Sequence, residues 1–313
     1  MPVSPVKPTL LARHALCSIL LLLLTGGAGA VDLPRPRVLA SFFPPAVVAL
    51  NVAGTNADVE VLLDGTIDPH DFQFSRTDLA KITRADLLVL NGLGMESWLG
   101  RALHKVGIAK PMVELSTGLG PEQLIPATAS GLHRHQERDG HDDAGFNPHI
   151  WLDPRLLAHG TSNVLRALQK ADPNNAVAYA ANARAFIEGL QELDAELLRG
   201  LAPVRRAPVV TWHDAFAYFA RRYGPDVIGV IEPVAEVDPA PRYLADLSRR
   251  CRAEGVRALF DQPGVRSRLL QRLASDWRVP VATLDTLENP SLKSDAYVTA
   301  MRANARILRE TLP

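Results

Sequence analysis

Short apolar runs alternate with amphipathic stretches along most of this chain. From residue 37 the order reads strand, helix, strand, with a strand over 38–41, a helix over 45–53 and a strand over 59–63. Residues 86–90 form a compact apolar run closed by Asn91-Gly92, the pattern of a parallel strand buried on both faces. After Pro208 the alternation resumes, with strands over 209–212, 227–230, 258–260 and 281–284, a helical stretch over 243–253 and a terminal helix over 296–312. Alternating elements of this kind build α/β lobes with parallel-rich sheets flanked by helices. Two such lobes are expected, over 31–171 and 203–313.

Two helices precede the second lobe, each opened by an Asp-Pro pair that suits an N-cap followed by proline at the first helical position: Asp153-Pro154 and Asp172-Pro173. The second carries Phe186, Leu190, Leu193, Leu197 and Leu201 on one face. At 1.5 Å per residue it would run about 43 Å, long enough to join two lobes, so 172–202 is expected to be one long linking helix. Residues 127–146 lack any period and are rich in Ser, Gly, His and acids, which predicts a mobile loop.

Composition adds limits more than identity. The chain has 313 residues, 47% hydrophobic and 22% charged, enough for cores of domain size. Basic and acidic side chains balance at 34 each, so bulk charge suggests neither a nucleic acid nor a membrane surface as partner. Lys7 and Arg13 precede an apolar run from Ala15 to Leu24, followed by Gly26-Gly27-Ala28-Gly29-Ala30. That is a cleavable signal peptide over residues 1–30, cut after Ala30, and it predicts export to the periplasm. Cys17 sits inside the apolar run rather than just after it, so no lipid anchor is expected. After cleavage Cys251 is the remaining thiol, which leaves no internal disulfide.

Three histidines and an aspartate fall where apolar strands give way to polar turns, two in each lobe. His70 lies in Asp68-Pro69-His70-Asp71-Phe72 and His149 in Asn147-Pro148-His149-Ile150-Trp151, while His213 and Asp285 each end a strand. Open α/β sheets bind ligands beyond the carboxyl ends of their strands, and an interlobe cleft would collect all four residues. Taken singly, each is more commonly a cap, a turn former or a satisfied polar residue. Together, three imidazoles and one carboxylate close the tetrahedral shell that Zn²⁺ prefers, whereas manganese favours more oxygen. A shell closed by four protein ligands leaves no position for a catalytic water, which points to carriage rather than catalysis.

Those segments, with Leu152-Asp153-Pro154 and Trp212-His213-Asp214-Ala215-Phe216, resemble in order and spacing the metal-binding motifs of zinc and manganese receptors of bacterial ABC importers, the cluster A-I or TroA-like periplasmic binding proteins. Asn91-Gly92-Leu93-Gly94-Met95-Glu96-Ser97-Trp98 and the Asp172-Pro173 helix start, with Tyr179 and Asn182, also look like family segments. The resemblance runs from about Val38 to the C-terminus. It implies two α/β lobes joined by one long helix, a metal held between them as transported ligand, and delivery to a membrane permease. A periplasmic zinc chaperone is a further candidate partner, and a monomer is expected. Manganese receptors of the family usually carry Glu where this chain has His213, so zinc is favoured. The family often has Asp-Pro-Leu-Gly after its last strand, whereas Asp285 here precedes Thr286-Leu287-Glu288-Asn289, which makes Glu288 the alternative carboxylate.

The segment with His133, His135 and His141 is similar to a short version of the family's histidine-rich loop, an auxiliary collecting site or else a solvated linker. Glu232 and Glu236 read as helix-opening acids, and Trp151 and Trp212 as a dry shell around the histidines. The rival functions are a manganese receptor, a zinc hydrolase and a zinc-buffering or adhesin protein. No His-Glu-x-x-His segment and no Gly-x-x-x-x-Gly-Lys loop occurs, which removes one group of zinc peptidases and the importer's own ATPase.

Overall fold

The computed structural model describes residue 1 and residues 34–63, 69–70, 72, 74–127, 145–232, 239–265, 267–288 and 292–312. The signal-peptide segment and the loop bearing His133, His135 and His141 lie outside these, as does Glu236. All elements below belong to the unit Arg35–Pro313.

The N-terminal lobe holds β1 (Arg37–Ala40), α1 (Phe43–Ala53), β2 (Asp58–Val61), α2 (Arg76–Arg84), β3 (Leu87–Leu90), α3 (Ser97–Val106) and β4 (Met112–Glu114). Its four strands are parallel in the order β2-β1-β3-β4. Then come α4 (Pro154–Ala171) and α5 (Ala176–Gly200). The C-terminal lobe holds β5 (Pro208–Thr211), α6 (Ala217–Tyr223), β6 (Asp226–Val230), α7 (Pro241–Glu254), β7 (Ala258–Asp261), α8 (Arg268–Trp277), β8 (Val281–Thr283) and α9 (Ala296–Thr311). Its parallel order, β6-β5-β7-β8, repeats that of the first sheet. In each lobe the chain reverses its direction of travel across the sheet at the first strand, the place where open sheets leave a crevice for ligands.

Burial follows the predicted periods. All four residues of β3 are buried, as its unbroken apolar run requires, whereas edge strands β4 and β8 are mostly exposed. Nine of the eleven residues of α1 are buried, because it packs against its own sheet, α4, α5 and α9. Pro173 opens a short 3-10 turn over Pro173–Asn175, so the long helix itself begins at Ala176; its 25 residues span about 38 Å. Leu190, Leu193, Leu197 and Leu201 are buried along it, and Phe186 is half-buried.

That helix contacts both lobes. It meets α1 on one side and α6 and α9 on the other, where Asp194 accepts hydrogen bonds from Arg222 Nε at 2.8 Å and from the Tyr223 hydroxyl at 3.0 Å. A single apolar cluster runs from Val38 through this helix to Leu312, and a smaller one lies under α7 and α8. Cys251 belongs to the smaller cluster, where burial pushes its thiol up to about 11 and leaves it protonated and unreactive.

Candidate metal centre

Three side chains from the predicted set converge. His70 stands in the turn after β2; the Trp98 indole holds that turn by donating to the Pro69 carbonyl at 3.1 Å, and Phe72 packs against the same indole at 4.5 Å between ring centroids. His149 occupies the segment between the bridge Pro126–Phe146 and the 3-10 turn Ile150–Leu152, and it is fully buried. Asp153 then caps α4 by accepting from Arg155 N at 3.0 Å. His213 follows β5, and its carbonyl accepts from the Thr211 hydroxyl at 2.9 Å.

The Nε2 atom of His149 lies 3.3 Å from that of His70 and 3.3 Å from that of His213. A tetrahedron with about 2.0–2.1 Å from centre to nitrogen has an edge of about 3.3–3.4 Å, so these spacings match a zinc shell. Beside them lies the Glu288 carboxylate, whose Oε1 is 3.7 Å from His149 Nε2. Ligand atoms of His70, His149, His213 and Glu288 all lie within 4.8 Å of one another, the one such group of His, Cys, Asp and Glu among the described residues.

Asp285, the carboxylate expected from the strand end, is not in that group. Its Oδ1 accepts from Leu287 N at 2.8 Å, closing a tight turn, while its own backbone N–H and carbonyl are both bonded to the Asn304 side chain on α9, at 2.8 and 2.7 Å. Leu287 takes a left-handed φ of 60°, unusual for leucine, with its side chain fully buried. The turn brings the next residue, Glu288, to the histidines. Thr286 steadies it there by donating its hydroxyl to Glu288 Oε2 at 2.9 Å.

Outer contacts hold the ring of His149. Asn147 Oδ1 accepts from His149 N at 2.9 Å and sits 2.8 Å from His149 Nδ1. Trp151 packs on the His149 ring at 5.1 Å, as the sequence suggests, but Trp212 packs on the smaller core beneath α7 and α8 instead. The family-like segment after β3 forms a second polar knot. Glu96 is buried and accepts from Asn91 N at 2.8 Å, Gly92 N at 3.1 Å and the Ser41 hydroxyl at 2.7 Å, and Asn91 Nδ2 donates to the Pro148 carbonyl at 2.9 Å. Burial raises the Glu96 carboxyl to about 7, despite the hydrogen bonds that favour its charged form. Gly92 has φ 83°, and a Cβ there would sit 2.3 Å from Ser116 Oγ, so only glycine fits.

The remaining candidates stand apart. His104 is exposed near the end of α3, and His159 is half-buried with its Nε2 2.8 Å from the Thr117 carbonyl. Glu232 donates its backbone N–H to the Trp212 carbonyl at 2.8 Å. Sequence reasoning missed the work of Asn147, Thr286 and Glu96; for Asn147 the available signal was its place two residues before a ligand-type histidine.

Comparison with known proteins supplies names for this arrangement. A family model described as ZnuA, zinc-uptake complex component A periplasmic, matches residues 38–311. The zinc-binding protein AdcA of Streptococcus pyogenes is 30% identical over 292 residues, covering 88% of this chain and 56% of that protein, so the chain spans little more than half the length of that relative. The high-affinity zinc uptake system protein ZnuA of Bacillus subtilis is 26% identical over 281 residues, covering 88% and 87% of the two. Among solved structures, the laminin-binding protein Lmb of Streptococcus agalactiae, described as bifunctional with adhesin and metal transporting activity, superposes with a TM-score of 0.74 at 28% identity over 89% of this chain and 100% of that one.

Proposed function

This chain belongs to the ZnuA family of periplasmic zinc-uptake components, and from that premise we propose that it captures Zn²⁺ with His70, His149, His213 and Glu288 and hands it to the permease of an ABC importer. The observation that carries this reading is the convergence of three imidazole Nε2 atoms at tetrahedral-edge spacing with one buried carboxylate. Three nitrogens to one carboxylate suit zinc better than manganese. Four protein side chains fill a tetrahedral shell, so the metal is cargo and no vertex is left for a hydrolytic water.

The reading includes export through the N-terminal signal, cleavage near Ala30, and a monomeric periplasmic receptor that a zinc chaperone can load. Metal analysis after chelation, followed by reloading with zinc and manganese in competition, tests it directly. One tightly held zinc per chain is expected. Preference for manganese, or undiminished binding in His213→Ala, would sink the assignment, and turnover of peptides or phosphate esters by the zinc-loaded protein would revive the hydrolase.

A further inference from the structure

The Asn147 side chain touches both lobes. It is fully buried, and each polar atom of its amide is used. Oδ1 accepts from His149 N at 2.9 Å, and Nδ2 donates to the Asp214 carbonyl at 2.7 Å and to Asp214 Oδ2 at 3.0 Å. A backbone N–H can only donate and a backbone carbonyl can only accept, so these two contacts fix which end of the amide is oxygen. The same oxygen lies 2.8 Å from His149 Nδ1. That nitrogen must therefore carry the proton, and Nε2, aimed at His70 and His213, must carry the lone pair.

We propose that Asn147 is the positioning residue of the metal centre: it selects the His149 tautomer that can bind a cation, and it registers His149 against His213 by clasping the residue that follows His213. The proposal rests on the receptor reading above. An amide suits the task because it donates on one side and accepts on the other. A carboxylate would set a like charge against Asp214, and an apolar residue would leave His149 N and the Asp214 carbonyl without this partner. The backbone of Asn147 is itself anchored, its N–H donating to Ile125 O at 2.8 Å and its carbonyl accepting from the Tyr218 hydroxyl of α6 at 2.7 Å.

The test uses the full secreted chain as wild type, Asn147→Ala and Asn147→Asp. Long-range proton–nitrogen correlation spectra of the metal-free protein read the His149 tautomer, and competition with a chelator reads zinc affinity. Wild type is expected to hold the Nδ1-protonated form. Asn147→Ala is expected to lose that preference and to bind zinc about 10–100-fold more weakly. Asn147→Asp keeps the acceptor and should rescue the tautomer, with an affinity between the other two because its contact with Asp214 is lost. An unchanged tautomer in Asn147→Ala, with affinity within about threefold of wild type, would overturn the proposal. If Asn147→Ala does not fold, a changed tautomer in Asn147→Asp, or wild-type affinity there, overturns it equally. A wild-type chain that binds no zinc defeats the receptor reading instead, since the tautomer is read without metal.

Discussion

The Trp151 indole N–H donates to the carbonyl of Thr286 at 2.7 Å, which ties the segment of His149 to the loop that carries Glu288 across 135 residues of sequence. The ring also packs edge-on against Phe42 at 5.3 Å, and the Tyr297 hydroxyl donates to the Trp151 carbonyl at 2.7 Å. Trp151→Phe keeps most of the ring packing and deletes the N–H. The buried Thr286 carbonyl then lacks this donor, a loss of about 1–3 kcal/mol. Urea unfolding of the metal-free variant should show that loss, together with weaker zinc binding, because the Glu288 loop loses its tie to His149.

Glu288 and Asp285 make opposite predictions from a three-residue separation. Glu288→Gln removes the charge beside His149 and should weaken zinc binding by at least about tenfold, the lower end of what even an outer partner of a metal ligand contributes. Asp285→Asn retains an Oδ1 that accepts from Leu287 N, so the turn survives and affinity should stay within a few fold. Titration of both variants against a chromophoric chelator checks this, and the reverse order would return the fourth ligand to Asp285.

The difference between those two residues shows where sequence stops being informative. Strands and helices were legible because their burial follows simple periods: 258–260 is observed as Ala258–Asp261 and 296–312 as Ala296–Thr311. Strand β4 escaped notice, being three residues long and mostly exposed at a sheet edge. His70, His149 and His213 stand at strand ends or in Pro-containing turns, so their placement could be read locally. Glu288 reaches the histidines through a left-handed Leu287, a conformation for which leucine gives no signal, in a turn held by a hydrogen bond from Asp285 N to Asn304 Oδ1 that spans 19 residues. Asn147 likewise acts through Asp214, 67 residues away, and no local pattern encodes that pairing.

Glu96 should give the fold a pH dependence of its own. Burial raises its carboxyl from 4.5 to about 7, so between those values the folded protein binds a proton that the unfolded chain does not. Stability from this group is therefore highest below about pH 4.5, declines as pH rises, and is lower by about 3 kcal/mol above pH 7, at about 1.4 kcal/mol per pH unit. Glu96→Gln cannot ionise. Relative to wild type, metal-free Glu96→Gln should gain roughly that amount in urea unfolding between pH 5 and pH 8, and parallel pH profiles would show that Glu96 is not the group responsible.

Zinc should stabilise the folded chain more than manganese does, and His213 should set the difference. A ligand bound only by the native state adds about 2.7 kcal/mol at 100 times its Kd and about 4.1 kcal/mol at 1,000 times. For a chain of this size that is roughly 5–10 °C in Tm. His213→Glu exchanges one of three nitrogens for oxygen, which disfavours zinc and suits manganese. Scanning calorimetry of the chelated protein, reloaded with each metal in turn, should show the zinc shift shrinking and the manganese shift growing in the variant. Equal shifts for both metals in the wild type would mean that the three converging Nε2 atoms do not discriminate between them, and selectivity would then have to arise away from this site.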